Sequence, residues 1–232
     1  MITSIQNPKI KDLLKLEKSK ERKSTKSFIV EGAHLVLEAR KKGLLIEAFS
    51  IEDKPGYTQV SDNVMRKLCH TDTIVSEIGL CKMIEDNKLS DKILILDKIQ
   101  DPGNLGSLMR SAVAFGFETI ILGDGCVDVY NDKVIRSSQG AIFKLSFINA
   151  NLVEYIPTLT QYEVYGTNVR NGISISDVKF NDKVALVLGN EGNGISDEVF
   201  SVLKKNIYIP LKNTESLNVS IAGSIIMYEM SK

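Results

Sequence analysis

The run Ile93-Leu94-Ile95-Leu96, followed shortly by Asp101-Pro102-Gly103-Asn104-Leu105-Gly106-Ser107-Leu108-Met109-Arg110, decides how the chain is read. A short unbroken apolar run suits a strand buried on both faces, the habit of parallel sheets. The spacing after it predicts a helix over Asn104–Phe115, with Leu105, Leu108, Met109 and Ala112 on its packed face. Working toward the carboxyl end, strands are expected at Thr119–Leu122, Ile142–Ile148, Glu163–Thr167, Val184–Leu188 and Ile207–Ile209. Helices are expected at Asn131–Ser137, Leu152–Leu159, Asp197–Lys204 and Ser216–Tyr228, the last with a core stripe of Leu217, Ile221, Ile225 and Tyr228. Strand and helix alternate, so the fold class is α/β, a mostly parallel sheet flanked by helices. Ligands of such sheets collect at the loops that leave the carboxyl ends of the strands.

Working toward the amino end, a smaller α/β region is expected. Helices are read at Lys9–Lys20, Gly32–Lys42 and Asp62–Cys69, and strands at Phe28–Val30 and Leu44–Phe49. The polar run from Glu85 to Asp91 reads as a linker. Two domains follow, 1–88 and 91–232, a division that 232 residues accommodate comfortably. Residues 1–27 hold eight lysines and arginines against three carboxylates, in a chain whose overall net charge is zero. Two readings stay open: recognition of a phosphate backbone, or the solvated face of a helix whose buried stripe is Ile10, Leu13, Leu14 and Leu16. Met1 leads directly into polar residues and no apolar run nears the ~18 residues of a membrane span, so a cytoplasmic location is expected. Cys69, Cys81 and Cys126 are odd in number and lack paired spacing, which suits reduced structural cysteines. Cys69, His70 and Cys81 lack the spacing of a four-ligand zinc site, and no metal is expected.

Three loops carry the candidate chemistry. In the first, Gly103, Gly106 and Arg110 recur at helical spacing, so Arg110 extends back over Gly106 toward the helix start, where anions are favoured. That suits a clamp on an RNA phosphate, or equally an exposed arginine beside a turn glycine. The second, Leu188-Gly189-Asn190-Glu191-Gly192-Asn193-Gly194-Ile195-Ser196, leaves the most apolar strand. It is neither a P-loop nor the GxGxxG of dinucleotide sites, and Glu191 within it could accept from a ribose hydroxyl or an arginine. The third, Ile209 to Ser220, places Glu215, Ser216 and Asn218 near a helix start, with Ile209 and Leu217 able to flank a flat ring. Helix capping explains any one of these polar residues but not all of them.

Together the stretches DPGNLGSLMR at 101–110, LVLGNEGNGIS at 186–196 and IPLKNTESLNVS at 209–220 resemble, in order and spacing, the three motifs of the SpoU/TrmH family of the SPOUT class. Residues 128–140 resemble the segment that family carries between its first two motifs. The opening ITSIQNPKIKDL and FIVEGAHLVLEA resemble its amino-terminal RNA-binding domain. The resemblance implies a SPOUT catalytic domain with a carboxyl-terminal trefoil knot, S-adenosylmethionine as methyl donor, a homodimer whose two subunits build the active sites, and ribosomal or transfer RNA as partner. By motif position it implies a cofactor site of Thr167, Asn168, Leu188, Gly189, Asn190, Gly192, Ile209, Leu211 and Leu217. It implies a reacting centre of Asn104, Arg110, Glu191, Ser216 and Asn218. Gln139 and the pair Gly223-Ser224 depart from the commoner pattern without touching these positions. The implied activity is 2′-O-methylation of a ribose. Family accounts give the hydroxyl proton to the motif-one arginine, but arginine is a reluctant base, so a mixed role for Arg110 as phosphate clamp and alkoxide stabiliser is preferred. Asn104 and Ser216 would orient these groups, and Glu191 would steady Arg110 or a partner. The rivals are a non-catalytic RNA-binding or assembly protein, a SPOUT base methyltransferase, and an unrelated nucleotide-binding enzyme.

Overall fold

A computed structural model describes residues 1–71, 73–85, 88–168 and 172–232. The amino-terminal elements are α1 (Pro8–Lys15), α2 (Ser19–Thr25), β1 (Ser27–Glu31), α3 (Ala33–Lys41), β2 (Leu45–Ser50), β3 (Thr58–Gln59), α4 (Asp62–Leu68) and β4 (Glu77–Lys82). Then come β5 (Lys92–Leu96), α5 (Pro102–Ala114), β6 (Thr119–Leu122), α6 (Asp132–Ser138), β7 (Ser146–Asn149), α7 (Leu152–Tyr155) and β8 (Glu163–Thr167). The chain ends with β9 (Ile173–Ser174), β10 (Val184–Leu188), α8 (Asp197–Phe200), β11 (Lys205–Tyr208) and α9 (Val219–Glu229). Two compact units result: Met1–Ile84 with Asp128–Phe143, and Glu85–Val127 with Lys144–Lys232. Of the expected linker, Asp86 and Asn87 lie outside the described residues.

The first unit carries a four-stranded sheet in the order β1-β4-β2-β3. Ile10, Leu13, Phe49, Val64, Met65, Leu68 and Ile78 form its main apolar cluster. The expected helix over Lys9–Lys20 is instead two helices. α1 starts at Pro8 under an Asn7 cap and stops at Lys15. Arg22 then donates to the freed carbonyls of Leu16 and Glu17, both at 2.8 Å. A helix break inside a core is stable only when such orphan acceptors find donors. Strand β4 was not expected and is central, pairing antiparallel with both β1 and β2. Its Gly79 breaks the apolar alternation because a Cβ there would come 2.9 Å from Leu45 and 3.0 Å from Val30.

Asp128–Phe143, written above into the second domain, packs with the first unit. The Phe28 and Tyr130 rings lie 4.7 Å apart, and Arg22 pairs with Asp128 at 2.6 Å. The strand expected at Ile142–Ile148 becomes a short 3-10 turn, Ala141–Lys144, followed by β7.

The second unit is a seven-stranded sheet, β7-β6-β5-β10-β8-β11-β9, with every neighbouring pair parallel. The two most apolar strands, β5 and β10, lie side by side in register, Leu96 opposite Leu188. Their outgoing loops therefore emerge as neighbours, and the strand order reverses there, with β6 to one side and β8 to the other. The α9 stripe requires correction. Ile221 and Tyr228 are about half exposed and Ile225 is at the margin, while Ser220, Gly223, Ile226 and Met227 are buried. The helix turns its small residues inward because it sits close against its neighbours. A Cβ on Gly223 would come 2.6 Å from both Leu108 and Leu188, and Ser224 meets Ser111 at 2.6 Å.

Candidate active site

Asp101 opens α5 by accepting the Asn104 N–H at 2.7 Å. The strand β10 runs into Gly189, whose Cβ, were there one, would run into the Gly194 and Ile195 backbone. Only glycine allows the loop to double back this tightly. Asn190 and Gly194 exchange backbone hydrogen bonds at 2.8 and 2.9 Å, closing the loop. The Asn190 side chain is used within it, donating to the Lys98 carbonyl at 2.9 Å and accepting the Gly192 N–H at 2.9 Å and the Asn193 N–H at 3.2 Å.

Glu191 projects from that loop to the start of α5. Its carboxylate accepts the Asp101 N–H at 3.2 Å and the Asn104 side-chain amide at 3.1 Å. Asn104 in turn accepts from the Asn218 amide at 3.0 Å. Asn218 caps α9, its oxygen taking the Ser220 N–H at 2.9 Å and the Ser220 hydroxyl at 2.7 Å. One chain of hydrogen bonds, Glu191 to Asn104 to Asn218, thus ties the three loops together. Burial alone would raise the Glu191 carboxyl, but its own backbone N–H, the Asn104 amide and the N–H groups of Asp101 and Gln100 outweigh that and hold it below the usual carboxylate range.

Two expectations change here. Glu191 does not engage Arg110; the positive end of α5 is filled by the protein's own carboxylate, for the electrostatic reason that drew an anion there in the sequence reading. Arg110 is exposed on α5 and makes no hydrogen bond or ion pair with the described residues, while Gly106 before it is buried.

Beside this junction lies a cleft of about 500 Å³. All nine residues expected at the cofactor site line it, together with Glu191 and Ser216. Asn104, Arg110 and Asn218 are not among its walls. The sequence reading missed Phe200, Tyr208, Val219, Ala222 and Ile226, which also line it. It missed Asp97 too, a buried carboxylate at the end of β5 that accepts the Ser196 N–H at 2.7 Å and anchors the far end of the glycine loop. A charged residue directly abutting an all-apolar strand was the available signal. Lys98 next to it adopts a left-handed backbone, φ 56°, for which a lysine gives no warning.

Residues 91–228 match the family model described as the SpoU rRNA Methylase family. The chain belongs to that family. The amino-terminal part of this SpoU protein, residues 7–75, matches an MRM3-like substrate binding domain. The 23S rRNA (guanosine(2553)-2′-O)-methyltransferase RlmP of Bacillus subtilis (strain 168) is 34% identical to the SpoU chain over 243 residues, covering 99% of this chain and 98% of the relative. A crystal structure of an RNA 2′-O ribose methyltransferase superposes with a TM-score of 0.83 at 30% identity, over 99% of this chain and 97% of the other. An AdoMet-bound rRNA methyltransferase from Sinorhizobium meliloti gives 0.88 at 26% identity, over 99% and 96%. Elsewhere in the SpoU chain, the three cysteines are free, and burial pushes the Cys81 thiol up to about 12. His70 faces Glu31 at 2.7 Å rather than a cysteine. Among the described residues no group of His, Cys, Asp or Glu is placed to hold a metal ion, and no helix is long and apolar enough to cross a membrane.

Proposed function

We propose that this chain transfers a methyl group from S-adenosylmethionine to a ribose 2′-hydroxyl of ribosomal or transfer RNA, acting in the cytoplasm as a homodimer. The Glu191–Asn104–Asn218 chain carries the reading, because it gathers all three motifs at the rim of one cleft. The cleft fits the donor. Its volume lies within the usual ~300–1,000 Å³ of small-ligand sites, and Leu188, Ile209, Leu211 and Leu217 supply apolar walls for a flat ring. The Gly189 backbone, bare of a side chain, admits close approach. The relative that methylates 23S rRNA favours ribosomal RNA as the partner.

When bound, the donor supplies an electrophilic methyl group on a sulfonium. The chain's own residues do the rest. The loops are tied to one another before substrate arrives, so the acceptor hydroxyl is fixed rather than sought. Arg110, uncommitted to any described carboxylate, is free to hold the phosphate beside the reacting ribose and to stabilise the alkoxide as the proton leaves. Asn104 and Asn218 hold the rim, and Ser216, on the cleft wall, is placed to orient the ribose.

Arg110 lies outside its own cleft, and α9 leaves Ile221, Ile225 and Tyr228 bare. Both observations support a second copy of the chain completing the site, with Arg110 serving the partner's cleft. A trefoil knot through the carboxyl-terminal loops belongs to the same reading. Calorimetric titration with S-adenosylmethionine, and mass mapping of RNA from a strain lacking the gene, test the proposal. One missing 2′-O-methyl group is the expected result; unaltered RNA, or no binding of the donor, refutes it.

A further inference from the structure

The amino-terminal unit holds a cluster that the proposed methyl transfer does not use. Glu31, at the end of β1, has a side chain only 5% exposed. Its Oε1 accepts the His70 backbone N–H at 3.1 Å and faces His70 Nδ1 at 2.7 Å. Its Oε2 is buried and has no partner. A buried acceptor left open costs about 1–3 kcal/mol, and native structures rarely tolerate one unless something fills it. Behind it is a void of about 30 Å³, lined among others by Glu31, His70, Arg22 and Arg136. Arg22 also presents a buried Nε that donates to nothing. His70 and Arg136 then form the shared wall to an open pocket of about 550 Å³, whose other sides are Thr71, Thr73 and Val75.

We propose that this pocket receives an unpaired RNA nucleobase and reads its exocyclic amino group through Glu31 Oε2. The inference rests on the RNA-methyltransferase reading above and concerns how substrate is chosen. Size supports it: the void admits one amino group or one water, while the open pocket has room for a ring. Charge supports it too. Arg136 lies 2.9 Å from Asp132 and 3.8 Å from Glu31, and His70 faces Glu31 and Glu17, so the pocket's cations are already balanced by carboxylates. A phosphate gains little there, whereas a neutral N–H donor meets an acceptor waiting for it. Adenine and cytosine pair an amino donor with a ring-nitrogen acceptor, which suits an edge facing both a carboxylate oxygen and the Arg22 Nε–H.

The test is fluorescence anisotropy of the full chain with twelve-nucleotide oligo(A), oligo(C) and oligo(U), beside calorimetry with S-adenosylmethionine on the same preparations. The wild type is expected to bind oligo(A) and oligo(C) about five- to tenfold more tightly than oligo(U), the worth of one base-edge hydrogen bond. In Glu31→Gln that ratio should collapse toward one. Thr73→Trp, at an exposed rim position, should plug the open pocket and also erase the ratio without disturbing the Glu31 contacts. Equal binding of all three oligonucleotides by the wild type, or a ratio that survives both substitutions, overturns the proposal and leaves the void to a structural water. If base preference is absent but the donor still binds, only this inference fails; if neither donor nor RNA binds, the functional reading fails with it.

Discussion

Glu191 sits in a glycine loop that a sequence reading assigns to ligands, yet its carboxylate is occupied with the start of α5. Glu191→Gln keeps the shape but turns one acceptor into a donor facing backbone N–H groups. A charged hydrogen bond is worth about 1.5–3 kcal/mol, so single-turnover methylation should fall roughly ten- to hundredfold with little change in melting temperature. The sign of the pH dependence follows from the depressed carboxyl. The linkage is fully present above the ordinary glutamate value and is lost only as pH falls through the lower folded value, so activity should not depend on this group near neutrality. Arg110→Ala should abolish methylation while leaving folding intact, because the side chain touches no described partner. Near-normal turnover would remove it from the mechanism. Lys98→Gly relieves a left-handed lysine backbone and should stabilise the protein by about 1 kcal/mol in urea unfolding.

At the scale of elements, periodicity was a good guide wherever a segment is buried on one consistent side. β6 and β8 fall where expected, and α5 packs through Leu105, Leu108, Met109 and Ala112. It failed where close approach replaces bulk. β4 was invisible because Gly79 interrupts its pattern, and the buried face of α9 was misjudged because it is built from Ser220 and Gly223. The nine cofactor-site residues were legible through motif spacing, whereas the Asn104–Asn218 bond joins positions 114 residues apart and no local pattern announces it. Gly223→Val should force α9 off α5 and β10, lowering stability by about 1–3 kcal/mol in the same unfolding assay. Ile225→Asp, on the bare face, should leave the melting temperature of the isolated chain nearly unchanged yet shift sedimentation to a monomer. A variant that stays dimeric would place the interface elsewhere.

At the scale of the whole molecule, acid and base act on different parts of the amino-terminal unit. The Glu31 hydrogen bond raises His70, with burial opposing, so its contribution is complete below the ordinary histidine value and disappears as pH rises through the folded one. Burial would raise Asp128, but the Arg22 and Ser19 hydrogen bonds and the Tyr130 N–H prevail and lower it, so that contribution is lost as pH falls. Urea titrations between about pH 5.5 and 8.5 should therefore show stability declining toward the alkaline end, and His70→Asn should flatten the slope.

The excursion of Asp128–Phe143 from the catalytic sheet back to the amino-terminal unit bears on how this protein can be taken apart. Neither half is a contiguous cassette. A fragment cut at the apparent linker would leave Phe28 without its aromatic lid and Arg22 without its counter-ion. Exchanging recognition modules between relatives would require transplanting two separated stretches at once, which ties the inheritance of RNA choice to that of the methylating half.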